Sequence, residues 1–295
     1  ILMSGICDGR VVIITGAGGG LGRSYAIAFA AEGASVVVND INEAGAQATV
    51  DQIIAAGGKA VVNTSDITNY DDSLNAVKAA LDNFGDLHVV LNNAGICRDR
   101  MFASLTEAEW DSVVAVHLKG HFCISSHAVH YWRGRAKEGV AVNARIINTS
   151  SGAGLNGSIG QSNYAAAKGG IASLTLNQAA ELGRYGITAN ALAPSARTSM
   201  TEGPFAEMMK KPEDGSFDKF DPDNIAPTVV WLGSEQSSNC TGRVFELEGG
   251  KISLADGWRS TSGININERW QPEKVGEAVA QLLDSEPAPQ KVYGS

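Results

Sequence analysis

VVIITGAGGGLGR, residues 11–23, passes from a run of β-branched residues into a glycine-rich turn, and an alanine-rich stretch follows from Leu21 to Ala31. An apolar run without polar alternation suits a strand buried on both faces, so Val11 to Thr15 reads as strand. Leu21 to Ala31 has the composition and period of a helix. A strand, a glycine loop and a helix, in that order, place loop amides and a helix N-terminus where a pyrophosphate can be received. Gly16, Gly20 and Gly22 are spaced GxxxGxG rather than the GxGxxG of the usual dinucleotide fingerprint. Glycines also serve tight strand–helix packing, so their weight comes from following the first buried strand.

Downstream the same rhythm repeats. Ser35 to Asn39 is a second buried strand, ending in Asp40. An acidic residue there accepts hydrogen bonds from an adenosine ribose and repels a 2′-phosphate. No Lys or Arg lies between Gly16 and Gly22 to neutralise such a phosphate, which favours NAD over NADP. The alternative is that Asp40 caps the next helix. Further strands are expected at Lys59–Thr64, Leu87–Leu91, Ala144–Thr149, Ile187–Ala193 and Val244–Leu247. Helices are expected at Asn42–Ala56, Asn69–Phe84, Thr106–Tyr131, from the Tyr164 region to about Tyr185, and at Asp223–Leu232. Thr106 and Glu109 are spaced as a capping box. Asp66 and Ile67, past the third strand, suit an adenine edge and face, or Asp66 caps a helix. Strands alternating with helices imply an α/β fold with a doubly wound parallel sheet and right-handed crossovers.

The residues for chemistry lie in NTSSGAGLNGSIGQSNYAAAK, residues 148–168. Tyr164 and Lys168 are four apart, so on a helix both emerge from one face. A free tyrosine has a pKa of about 10, too high to accept a proton near neutrality. A neighbouring cation lowers it, and a fall of roughly 3 units needs about 4 kcal/mol. One ammonium rarely supplies that, so a second cation such as an oxidised nicotinamide would help. Ser151, thirteen residues before Tyr164, has a hydroxyl able to hold a substrate oxygen. Tyr and Lys at this spacing are also common surface neighbours; the upstream nucleotide features give the pair its meaning.

Composition narrows the partners. The chain has 295 residues, 44% of them hydrophobic, and a net charge of −9, the wrong sign for a nucleic-acid face. Cys7, Cys97, Cys123 and Cys240 are scattered without a CxxC, as free thiols in a reducing compartment would be. No signal peptide and no 18-residue apolar run are apparent, so a cytoplasmic protein off the membrane is expected.

In order and spacing, TGAGGGLG (15–22), Asp40, Asp66, NNAG (92–95), Ser151, YAAAK (164–168), and Pro194 with Thr198 resemble the short-chain dehydrogenase/reductase family over residues 8–250. The resemblance implies a Rossmann-type, seven-stranded parallel sheet in the order 3-2-1-4-5-6-7, as one domain with a C-terminal extension at 251–295. It implies NAD held by Gly16, Gly20, Leu21, Gly22, Asp40, Ile41, Asp66, Ile67, Asn92, Ala94, Gly95, Tyr164, Lys168, Pro194 and Thr198. It implies Tyr164 as acid/base, Ser151 as anchor of the carbonyl or hydroxyl, and Lys168 bridging the nicotinamide ribose and Tyr164. A homodimer or homotetramer follows from it as well.

Two departures stand out. Where the family has an Asn supporting a proton-relay water, VVAVHLKG places His117, either a catalytic group or a packing histidine. His117 and His121 also have metal-ligand spacing, but no third ligand accompanies them, and no metal is expected. After strand six the usual Pro-Gly is Pro194-Ser195, and the stretch to Thr198 is one residue shorter. With APSARTSMT and the long tail, these features look like the (3R)-hydroxyacyl-CoA dehydrogenase part of multifunctional enzymes type 2 and their bacterial single-domain relatives. That likeness implies NAD(H)-dependent interconversion of a secondary alcohol and a ketone, on a 3-hydroxyacyl-CoA or steroid-like small molecule. Alternatives are a 3-oxoacyl thioester reductase, a catalytically silent NAD-binding scaffold, and a nucleotide-sugar epimerase relative, for which the tail is too short. Residues 198–222 suit a substrate lid. The tail, with Trp258, Trp270 and a helix near Glu273 to Leu283, covers the substrate mouth of its own or a neighbouring subunit, or packs on the sheet rim.

Overall fold

The seven expected strands reappear in a computed structural model describing residues 5–198, 207, 209–258, 260, 262–285 and 291–294. In chain order the elements begin β1 (Val11–Thr15), α1 (Gly20–Ala31), β2 (Ser35–Asn39), α2 (Glu43–Ala55), β3 (Lys59–Asn63), α3 (Tyr70–Phe84) and β4 (Val89–Asn92). They continue α4 (Glu107–Val114), α5 (Gly120–Lys137), β5 (Ala144–Thr149), α6 (Gly152–Asn156), α7 (Ser162–Leu182) and β6 (Ile187–Ser195). Last come α8 (Ala226–Gly233), β7 (Val244–Glu248), β8 (Lys251–Ala255) and α9 (Pro272–Ser285).

The sheet runs β3-β2-β1-β4-β5-β6-β7-β8. Alternate residues of one strand feed two cores. Val12, Ile14, Val36 and Val38 pack beneath α1 and α8, whereas Val11, Ile13 and Val37 pack beneath α3 and α5 with Trp132. Both faces being covered, the strands need no polar alternation.

Three expectations change. Among the described residues the sheet has eight strands rather than seven, and the last is antiparallel: Glu248 pairs with Lys251 across Gly249-Gly250, and Val244 with Ala255. Gly249 has φ +54, so a two-glycine turn folds back the first residues of the expected extension. KISLA alternates, but Ile252 and Leu254 both face outward, so this edge strand carries no buried-run signature. Second, the long helix expected from Thr106 to Tyr131 ends at Lys137 and is broken by a π-helical turn, Ala115–Lys119. Its start agrees with the capping box, which Thr106 and Glu109 form in both directions. Third, neither acidic residue caps a helix: Asn42 caps α2 by accepting from Gly45 N, and Asn69 caps α3 by accepting from Asp72 N.

Of the lid segment 198–222, residues 199–206 and 208 lie outside the described residues. Its ends are tied together: Arg197 N donates to Phe220 O at 2.8 Å, and the Arg197 guanidinium pairs with Asp218. No helix among the described residues is long and apolar enough to cross a membrane. In the tail, α9 has no buried residue.

Candidate active site

At the carboxyl ends of β1, β2 and β4 the backbone is packed so closely that only hydrogen fits at several positions. Gly16 and Gly20 have φ +64 and +50, a region L side chains avoid. A Cβ on Gly22 would lie 2.2 Å from Gly16 O and 2.7 Å from Asn93 Nδ2. That amide donates to Thr15 O at 3.0 Å and Gly16 O at 3.2 Å, while Thr15 Oγ1 accepts from Asn93 N and Ala94 N at 3.0 Å. The turn after β4 is thereby locked onto the glycine loop. Asn93 and Thr15 were not singled out in the sequence; the doubled Asn of NNAG was the available signal.

Gly19 is the N-cap of α1 and supplies no side-chain acceptor, so the first-turn amides of Gly20 and Leu21 face outward uncapped. Asp40 is fixed from two sides, Oδ2 accepting from Gly18 N and Oδ1 from Asn42 N, each at 2.9 Å. Ile41 is exposed beside it. Asp66 accepts from Thr68 N and Oγ1 at 2.8 and 2.7 Å, and Ile67 is buried, pressing on α5 at Gly120. Thr198 stands over Gly20, its Cβ and Cγ2 3.7 Å from where a Cβ would sit, and Pro194 lies in β6 opposite Leu247. The uncapped amides, the close-packed glycine floor and the acidic tip of β2 fit a dinucleotide.

Asn92 lies below this floor. It is buried, and its Nδ2 donates to Ser125 Oγ at 2.9 Å and Asn148 Oδ1 at 3.0 Å, joining β4, β5 and α5.

Ser151, Tyr164 and Lys168 are brought together where α6 crosses α7. A Cβ on Gly154 would lie 2.6 Å from the Lys168 backbone carbon, so this close crossing brings Ser151, the N-cap of α6, toward Tyr164. Ser151 Oγ accepts from Ala153 N at 3.2 Å and hydrogen-bonds Tyr164. Lys168 is 2% exposed; its Nζ donates to Thr149 O at 2.6 Å and sits 5.5 Å from the centre of the Tyr164 ring. The other edge of that ring meets His117, 5.0 Å away and at 88°. The π turn carries His117 inward against Gly95, where a Cβ would come within 2.3 Å of His117 Cε1.

Burial governs the charges. Tyr164 is pushed up to about 12, first by burial, with the Cys97 thiol adding and the Ser151 hydrogen bond opposing. Desolvation of the phenolate dominates, opposite in direction to the lowering expected from a neighbouring ammonium together with an oxidised nicotinamide. Lys168 itself is brought down to about 7 by burial. His117 falls to about 3 through burial and then the charge of Lys168, so its ring is neutral. His117 Nε2 lies 2.8 Å from Ile96 O and 3.1 Å from Ile96 N. One nitrogen cannot donate and accept at once; the shorter contact is satisfied when Nε2 carries the proton. His117 Nδ1 is then a buried acceptor without a partner among the described residues. His121 Nε2 accepts from Thr149 N at 3.2 Å, which spends it on structure. Among the described residues no three His, Cys, Asp or Glu side chains stand together as metal ligands.

The short chain dehydrogenase family profile matches residues 10–209. A hydroxyacyl-CoA dehydrogenase, ChsB1 of Mycobacterium tuberculosis, is 45% identical over 254 residues, covering 84% of this chain and 80% of that protein. Peroxisomal multifunctional enzyme type 2 of Mus musculus is 40% identical over 274 residues, 90% of this chain but 35% of the mouse protein. The crystal structure of a short chain dehydrogenase from Mycobacterium avium superposes with a TM-score of 0.91 at 52% identity, covering 99% of this chain and 100% of that one.

Proposed function

The chain belongs to the short chain dehydrogenase family and is an oxidoreductase acting on CH–OH donors; from that premise we propose that it uses NAD(H) to interconvert a secondary alcohol and a ketone on a 3-hydroxyacyl-CoA or steroid-like molecule. One observation carries the reading: Ser151 and Tyr164, both half-buried, converge with the buried Lys168 beside a glycine floor that fits a dinucleotide. The acyl-thioester part is supported by the Mycobacterium tuberculosis relative, a hydroxyacyl-CoA dehydrogenase.

Gly16, Gly20, Leu21 and Gly22 would hold the pyrophosphate, with Asp40 and Ile41 at the ribose and Asp66 and Ile67 at the adenine. Ala94, Gly95, Pro194 and Thr198 would flank the ring. A bound oxidised nicotinamide supplies the hydride acceptor and a positive charge. Ser151 anchors the substrate oxygen, and Tyr164 gives that oxygen a proton or takes one from it. Raised to about 12, the phenol is a proton donor in the form described, which suits a carbonyl substrate and the reductive direction as a second reading. His117 closes the far side of the phenol as a neutral ring, with Nδ1 available to accept from a water. The apolar stripe Val275, Val279 and Leu283 on α9 supports a homo-oligomer, since nothing in the described chain covers it.

Tyr164→Phe removes the proton carrier and keeps the ring packed on His117. Turnover of 3-hydroxyacyl-CoA should fall about a thousandfold while NADH affinity holds, read by absorbance at the nicotinamide band and by fluorescence titration. Substantial residual turnover removes Tyr164 from its role. NADH binding by a wild-type chain that turns over no alcohol or ketone would favour a silent scaffold.

A further inference from the structure

The end of the chain returns to the reacting end of the cleft. Tyr293 bridges Ser158 in parallel fashion, Ile159 N donates to Tyr293 O at 2.9 Å, and Tyr293 N donates to Gly157 O at 3.2 Å. On its other side the same loop, 157–161, is held by the segment after β4: Arg100 bridges Gln161, and Arg100 N donates to Gly160 O at 2.8 Å. The loop that leads into the Tyr164 helix is thus clamped between residues 98–101 and residues 292–294.

Side chains follow the backbone inward. A Cβ on Gly152 would lie 2.8 Å from the Tyr293 hydroxyl oxygen and 3.1 Å from Cε2 of its ring. Gly152 is the residue next to Ser151. A Cβ on Gly157 would lie 3.2 Å from a Val292 methyl. Two glycines therefore make room for the tail. Tyr293 still exposes half its surface, as do Ile159 and Met101, and Met101 Sδ reaches within 4.0 Å of where a Cβ on Gly160 would sit. Three half-open apolar side chains ring one loop beside the residue that anchors the substrate oxygen. Water is a poor occupant for such a rim; an alkyl chain or a fused-ring body suits it.

Resting on the function proposed above, we propose that Tyr293 is a specificity-determining residue. Its ring walls the substrate site beside Ser151, and it grades substrates by the apolar body they carry beyond the reacting carbon. The tail thereby acts on its own chain's site, touching the substrate side and leaving the glycine floor alone.

The test uses the full chain with 3-hydroxybutyryl-CoA and 3-hydroxyhexadecanoyl-CoA as a short and a long probe. Tyr293→Ala should change the ratio of their kcat/KM values by about tenfold or more, chiefly through KM, with NADH affinity within about twofold of wild type. Gly152→Ala, whose methyl displaces the ring while Ser151 stays, should shift the ratio too, and adding it to Tyr293→Ala should give little more. It decides the matter should Tyr293→Ala fold poorly. Tyr293→Phe keeps the wall and should keep the ratio. A wild-type chain active on the probes whose ratio is unmoved by either alanine overturns this inference alone. A wild-type chain inactive on both thioesters and on hydroxysteroids removes the function and this inference together.

Discussion

The two ends of the cleft are made in opposite ways. At the nucleotide end the working feature is the absence of side chains: Gly22 sits where any Cβ would strike the Gly16 carbonyl, and Gly18 leaves room for the Asp40 carboxylate. At the reacting end the working feature is side chains in places unfavourable to them, a lysine 2% exposed, a histidine 0% exposed and a phenol pushed up to about 12. Shape is cheap to keep, because close packing costs little once the backbone is right. Buried ionisable groups hold free energy against the fold, and they survive where chemistry needs them.

Gly22→Ala should break the nucleotide end with the largest effect. The added methyl meets the Gly16 backbone oxygen at 2.2 Å and the Asn93 side-chain amide at 2.7 Å, which its bonds to Thr15 O and Gly16 O hold in place. A loss of about 3 kcal/mol, seen in urea unfolding or as roughly a hundredfold weaker NADH binding, is expected. Gly20→Ala is the control: φ +50 is strained, but the nearest atoms are 3.7 Å away, so about 1 kcal/mol is expected. Equal effects would mean that backbone conformation, not contact, sets this end.

Lys168→Met probes the other end and should stabilise the protein while removing turnover. In the unfolded chain the amine holds its proton up to about 10.5, and in the fold only up to about 7. Between those values the unfolded state binds more protons, so wild-type stability should climb with pH across that window. The variant should flatten the climb and gain about 2 kcal/mol at pH 7.5, measured by urea unfolding at several pH values. A less stable variant with the wild-type slope would mean the bond to the Thr149 carbonyl satisfies a charged amine.

The same contrast explains what was legible in the sequence. β1, β2 and β5 were readable to the residue because each carries successive β-branched residues, as strands buried on both faces do. β8 was not, since its alternating side chains face outward and its pairing depends on a turn, Gly249-Gly250, that one reads only with β7 already placed. The convergence of Tyr164, Lys168 and Ser151 was legible by spacing, but the direction of the Tyr164 shift was not, because desolvation depends on everything packed around the phenol. The π turn that swings His117 against Gly95, and the return of Tyr293 to Gly152, are long-range events with no local signature.

Asp40 is where the two logics meet, a charge placed among the glycines, and its replacement should have the smallest effect. Each of its oxygens accepts one backbone amide at 2.9 Å, from Gly18 and from Asn42. Asp40→Asn keeps an acceptor for one of those amides and removes the negative charge, so the loop should hold while the repulsion of a 2′-phosphate goes. Discrimination between NADH and NADPH should narrow about fivefold, or ~1 kcal/mol, by competitive fluorescence titration. If both cofactors weaken equally with their ratio unchanged, Asp40 serves only to shape the glycine loop, and the nucleotide end is built by packing alone.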